Sequence, residues 1–359
     1  MKQIFLLLTL LLQLYTSNAQ TKTHNVVIVT LDGMRWQEVF SGADSTLTFD
    51  TTASYSHRQV REKYWAHTSD ERRKKLMPFL WSELVSKGLL IGNRALGSKM
   101  DNANQYWFSY PGYSELLTGY PDSLINSNDT VQNPNVNVLE FLNSQPAFKG
   151  KIAVFGSWDR FSYILNQKRS GLYVNDGFKN ADATVSPRMK FLNELQHQSP
   201  DLFHGWERLD VFTYHMGMEY MKARKPRIMY FALGDTDEFA HSGKYDYYMD
   251  AAHQADAWIG AIWNFIQSTP GYANKTTLLV TTDHGRGSAH GGEWQHHGSG
   301  TPGSGEIWLA AIGPSIPANG ELRNSGQIFQ GQFAATVAQL LGFEFKTPHK
   351  ILPPMNVTK

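Results

Sequence analysis

The chain has 359 residues, is 41% hydrophobic and carries 33 Lys+Arg against 32 Asp+Glu, a formal charge of +1. That is apolar enough for a sizeable globular core, and the absence of any basic run excludes a nucleic-acid scaffold partner. With no cysteine, disulfides and thiolate nucleophiles are excluded, and any metal must be held by His, Asp, Glu or hydroxyl oxygens.

The N-terminus reads MKQIFLLLTLLLQLYTSNAQ. A lysine, an apolar run too short to span a bilayer and small residues before position 20 form a secretory signal pattern over residues 1–19, implying export to the periplasm or beyond. Residues 20–359 are expected to form one catalytic domain. The run VVIVTL at 26–31 predicts a buried strand that ends on Asp32-Gly33. Residues 78–87 predict a helix opened by Pro78 and closed by Gly88. Further buried strands are expected at 152–155, 228–233, 277–282 and 307–312. An amphipathic helix is expected around 246–267, where Ala255, Trp258, Ile259, Ile262 and Ile266 share a face, and another at 332–341. This alternation predicts an α/β fold with a mainly parallel central sheet and helices on both faces. Working residues of such sheets lie just past the carboxyl ends of strands. Residues 41–75 and 156–210 break the rhythm and read as insertions at the rim of the site.

The stretch FSYPGYSELLTG at 108–119 holds two serines. Ser114 lies in an incomplete nucleophile-elbow pattern, because Leu116 stands where the final Gly is needed, and reads as a buried or capping hydroxyl. The other reactive residue types gather at strand ends. Asp237 and His241 are four apart, which places them on one face of a helix. Asp32 ends the first strand, Asp283-His284 follow a later one, and His297 precedes Gly298 in a Gly-rich loop. Asp237, His241 and His297 make one three-ligand N/O set; Asp32, Asp283 and His284 make another. Each leaves an open position, as catalytic zinc sites do, and two such metals can clamp an in-line displacement. Ser109 supplies the further oxygen of the second set, as a metal-activated nucleophile.

These residues, in this order, resemble the alkaline phosphatase superfamily, and within it the nucleotide pyrophosphatase/phosphodiesterase branch. VVIVTLDGMRW is similar to that branch's first strand with its metal-binding Asp, and PFLWSELVSKG to the helix before the nucleophile. SYPGYSELLTG resembles the nucleophile loop, DTDEFAH the D-x-x-x-H motif, and TTDHG and HHG the remaining ligands. The resemblance implies two zinc ions, one held by Asp237, His241 and His297, the other by Asp32, Asp283 and His284 with Ser109 toward the substrate. It implies attack by Ser109 on phosphorus and a covalent phosphoserine that water hydrolyses. Many relatives place an Asn about 20 residues beyond the nucleophile; Asn126 and Asn128 lie near, and Asn128 is taken for that role. His297 is preferred over His296 because Gly298 follows it, and Asp237 over Asp235 for its spacing to His241. The expected substrate is a small-molecule phosphate ester, mono- or diester. Arg35, Lys151, Arg160 and Arg286 are available to meet a monoester's extra charge, and Trp36, Trp107 and Trp158 to line a slot for a second group. A sulfatase of the same fold is the alternative. It would need Arg where Tyr113 stands, and paired Asp where Asp32 is followed by Gly33. A catalytically inactive binding protein on this scaffold is the second alternative.

Overall fold

Apolar runs that end on Gly or Asp become the strands. In the computed structural model, which describes residues 23–358, they are β1 (Asn25–Leu31), β2 (Leu89–Ile91), β3 (Ser98–Asp101), β4 (Ile152–Gly156), β5 (Tyr173–Asp176), β6 (Ile228–Leu233), β7 (Thr276–Thr281), β8 (Leu309–Ile312), β9 (Gly320–Glu321) and β10 (Gly326–Phe329). The leader pattern at 1–19 lies outside the described residues. Eight strands form one sheet in the order β5-β4-β6-β1-β7-β8-β2-β9, and β3 pairs with β10 in a second, two-stranded sheet. Every pairing in the large sheet is parallel except those of β8, which runs against both β7 and β2.

The central strands β1, β6 and β7 are buried at every position because both faces are covered. Val27, Val29 and Leu31 of β1 join one core cluster, and Val26 and Ile28 join the cluster on the other face. The first cluster is completed by the 24-residue helix Tyr245–Ser268, whose Ala255, Ile259, Ile262 and Ile266 are buried. The second is covered by helix Gln332–Leu340 and by helix α1 (Ser109–Thr118), whose residues are buried along its whole length. The stretch 78–87 is helical with a π-type turn over Leu80–Leu84. No helix among the described residues is long and apolar enough to cross a membrane.

The topology places three acidic strand ends side by side. β6, β1 and β7 are neighbours, and Asp235, Asp32 and Asp283 follow them at the same end of the sheet. Residues 41–75 fold into short helices, and Ala53, Val60 and Tyr64 pack into the first core cluster. Residues 156–210 are not only a rim insertion: β5 lies within them as the sheet edge beside β4, and the flanking chain passes the strand ends, where Ser157 O accepts from Arg208 N and Trp158 bridges Glu207.

Candidate metal centre and nucleophile

A cavity of about 270 Å³ opens at these strand ends. Asp32, Ser109, Asn128, Asp237, His241 and His297 line it, together with Trp158, Arg160, Trp206, Glu207 and Glu238. None of its lining residues comes from 41–75, whereas 156–210 supplies four.

Ser109 is the first residue of α1, is 6% exposed, and has its Oγ 3.3 Å from His284 Nε2 and 3.5 Å from Asp32 Oδ1. A helix N-terminus is positive and suits an anion. Ser114, five residues on, is buried with its Oγ accepting from Asn133 Nδ2 at 2.9 Å, so it serves packing. Asp283 is fully buried: Oδ1 accepts from Gly33 N at 3.1 Å, while Oδ2 has no hydrogen-bond partner and lies 3.5 Å from His284 Nε2. Gly33 adopts φ +57°, and any side chain there would collide with Asp237 Oδ1. His284 Nδ1 sits 2.9 Å from Gly285 O. That bond fixes Nδ1 as the donor and turns Nε2 toward Asp32, Asp283 and Ser109.

On the adjoining side, helix α2 (Asp235–His241) presents Asp237 and His241 on one face, with Asp237 Oδ2 3.1 Å from His241 Nε2. His297 Nε2 lies 2.9 Å from His241 Nε2 and 3.8 Å from Asp237 Oδ1. Asp32, Asp283 and His284 form one compact set of ligand atoms, and Asp237, His284 and His297 a second that overlaps it at His284. His241 closes the second set on its exposed side. Asp235 is turned away, its Oδ1 accepting from Asp210 N at 3.1 Å, and His296 is exposed outside the set.

The electrostatics are those of a cation site. Burial, then the neighbouring Asp237, pushes the Asp32 carboxyl up; burial and Asp32 push Asp283 well up. Burial alone would lower the His284 imidazole, but Asp283 and Asp32 hold it up at about 9. Burial, then the charge on His284, holds His297 well below its usual value. Burial opposes ionisation of Asp237, yet the Arg286 guanidinium holds its carboxyl well below the usual range. Three buried carboxylates converging with one orphaned oxygen, beside three imidazoles, fit a zinc-type N/O donor set.

Several partners here carry no motif. Arg286 is buried and donates to the Asp237 carboxylate, to Asp237 O at 3.0 Å and to Gln295 O at 2.8 Å, so it steadies a ligand and does not reach the cavity. Arg35 is buried against Glu38, and Lys151 is exposed before the first residue of β4, at the far end of the sheet. Of the four cations, Arg160 lines the cavity; it pairs with Asp159 and donates from Nε to Asn128 O at 2.9 Å. Asn128 Oδ1 accepts from Tyr110 N at 3.0 Å. Of the three tryptophans, Trp158 lines the cavity, while Trp36 donates to Glu306 Oε2 at 2.7 Å outside it.

No protein-family profile matches the chain, and no curated protein matches it. Solved structures do. The wild-type alkaline phosphatase PafA superposes with a TM-score of 0.58 at 11% identity, over 93% of this chain and 98% of that one. A protein in the alkaline phosphatase superfamily from Vibrio parahaemolyticus gives 0.52 at 15% identity, over 92% and 69%. A 2-O GAG sulfatase, BT1596, gives 0.54 at 10% identity, over 90% and 72%. The chain has the fold of the alkaline phosphatase superfamily. Phosphatase and sulfatase members resemble it alike, so its branch rests on the site residues.

Proposed function

We propose that this chain, on its alkaline-phosphatase fold, is a zinc-dependent phosphoric ester hydrolase acting through a phosphoserine on Ser109. The observation that carries the reading is the position of Ser109 Oγ, at a helix N-terminus, within 3.5 Å of both Asp32 Oδ1 and His284 Nε2 in a cavity also lined by Asp237, His241 and His297. Asp32, Asp283 and His284 would hold one zinc, and Asp237, His241 and His297 the other. When bound, the two ions supply Lewis-acid charge for the phosphoryl oxygens and lower the pKa of the serine hydroxyl. The remaining work belongs to the side chains. The α1 N-terminus orients Ser109 toward phosphorus. Tyr110 N fixes Asn128 through Oδ1, leaving its Nδ2 hydrogens for a non-bridging oxygen, a contact worth most as charge develops. Arg160 offers the guanidinium that a monoester dianion favours. Ser109 Oγ forms the bond to phosphorus as the alcohol leaves, and water then cleaves the phosphoserine to inorganic phosphate.

The cavity volume of about 270 Å³ falls below the roughly 300–1,000 Å³ of drug-sized ligand sites, which supports a small monoester. Tyr113 speaks against the sulfatase reading. It is 1% exposed and packs on Phe161, where the sulfatase motif expects an arginine. The leader pattern over residues 1–19 supports export from the cytoplasm. The test is turnover of nitrophenyl phosphate and bis-nitrophenyl phosphate, with and without chelator, by the wild type and Ser109→Ala. The variant should lose roughly 10⁴-fold or more in kcat, as nucleophile deletions do, while its zinc content stays near that of the wild type. Chelator-insensitive turnover, or normal turnover by the variant, ends the assignment; an inert wild type with full zinc favours a binding protein on the same scaffold.

A further inference from the structure

Four side chains of the cavity take no part in the chemistry above: Trp158, Trp206, Glu207 and Glu238. They arrive by two routes. The chain near 158 runs beside the chain near 207, with Trp158 bridging Glu207 and Asp159 N donating to Trp206 O at 2.9 Å. Glu238 follows Asp237 on α2 and lines the same cavity beside Trp206. Gly234 makes room for Glu207, since any side chain there would collide with Glu207 Oε1.

Glu207 is the anomaly. It is 6% exposed, and its Oε1 is buried without a hydrogen-bond partner. The charges acting on it most strongly are Glu238, Asp32, Asp210 and Asp235, all acidic. The cavity's guanidinium, Arg160, makes no ion pair with Glu207; its partners are Asp159 and Asn128 O. Ionised, a buried carboxyl with neither donor nor counter-ion would cost several kcal/mol, a cost that a cation arriving with the ligand removes. The neighbours decide which kind. A hard divalent ion wants several oxygens, whereas indole faces attract weakly hydrated organic ammonium groups, the pattern of aromatic cages.

We propose that Glu207 and Glu238, flanked by Trp158 and Trp206, form a leaving-group subsite for an alkylammonium, so that the preferred substrate is the phosphate monoester of a short amino alcohol. This rests on the hydrolase reading for its chemistry but not for its binding. Ser109 Oγ bonds to phosphorus, the ester P–O bond breaks, and the amino alcohol leaves with a proton on its oxygen and its ammonium unchanged. Water then splits the Ser109–phosphate bond.

Two measurements on the full chain test it. The first compares kcat/KM for phosphocholine and its uncharged isostere 3,3-dimethylbutyl phosphate. The charged ester should win by about tenfold or more, and Glu207→Gln should bring the ratio to within about threefold of one. The second titrates choline against 3,3-dimethylbutanol, followed by tryptophan fluorescence. Glu207→Gln and Trp206→Ala, the latter at a 40% exposed rim position, should each weaken choline binding about tenfold. Nitrophenyl phosphate turnover with no preference for choline over dimethylbutanol overturns the subsite and leaves the hydrolase standing. Choline binding that depends on Glu207 in a protein inert toward every ester sustains the subsite and sinks the hydrolase reading. Loss of one bound metal equivalent in Glu207→Gln makes Glu207 a metal ligand and overturns the proposal.

Discussion

Glu115 and Asp283 are both fully buried carboxylates at the same end of the molecule, and they do opposite things. Glu115 accepts from Ala103 N, Asn104 N, Asn104 Nδ2 and Gly331 N at 2.8 to 3.0 Å. Every lone pair it offers is met by the chain, so it is a rivet between the loop before α1 and the segment after β10. Asp283 meets one backbone N–H through Oδ1 and leaves Oδ2 unpartnered among other acids. Burial alone therefore does not mark a site; a missing donor among converging acids and imidazoles does. A carboxylate satisfied by N–H groups holds structure, and one left open is held ready for a ligand.

Three substitutions sharpen or break that contrast. Asp283→Asn should weaken zinc binding by about 100-fold or more, since a charged ligand is lost. It should leave the melting temperature of the metal-free protein little changed, because the amide oxygen can keep the Gly33 N–H bond and a carboxyl that burial and Asp32 disfavour is removed. Zinc titration with a competing chelator, beside apo-protein melting, reads both; a large loss of apo stability with full zinc affinity would reverse the assignment. Glu115→Gln should do the converse, costing about 3 kcal/mol because amide hydrogens now face N–H donors. Denaturant unfolding would show this, with zinc affinity kept. The smallest effect belongs to Asp256, which accepts from Phe79 N at 2.7 Å and Leu80 N at 2.8 Å. Burial raises its carboxyl from 3.8 to about 7. The folded state therefore binds the proton more tightly than the unfolded chain, so this contribution is fully present below pH 3.8 and is lost as pH rises through 7. Asp256→Asn, losing one acceptor, should cost about 1 kcal/mol at low pH. The deficit should shrink by pH 8; a deficit constant from pH 4 to 8 would refute the shift.

The distinction between Glu115 and Asp283 also shows what could be read from the chain alone. Asp32, Asp237 and Asp283 were legible because each follows or closely trails a continuous apolar run, and such runs in a covered parallel sheet end where the chemistry sits. His241 followed from helical spacing, and His297 from its glycine. The central strands and the Tyr245–Ser268 helix were legible for the same reason, a clear period. Glu207 and Trp206 were not, since residues 156–210 have no period and their place comes from a bridge to Trp158 that no local pattern announces. Arg286 looked like a substrate contact by type, yet its guanidinium is buried against Asp237. Short strands such as β9, of two residues, are set by pairing and leave no signal of their own.

The lone antiparallel strand, β8, has a consequence for assembly. Because β8 runs against β7, the chain between them leaves and re-enters the sheet at one end, and that single excursion carries Asp283, His284, Arg286 and His297. A parallel crossover would have sent half of it to the far end. Three of the proposed ligands and the guanidinium that holds Asp237 thus lie within 15 residues of one another, where closing a short loop costs little entropy. Asp32 and Asp237 must be brought in from distant sequence by the sheet. On the two-zinc proposal, metal capture would be the step in which a locally pre-gathered half-site meets a globally built one, and the ions would act as the clasp that fastens this excursion to the finished sheet.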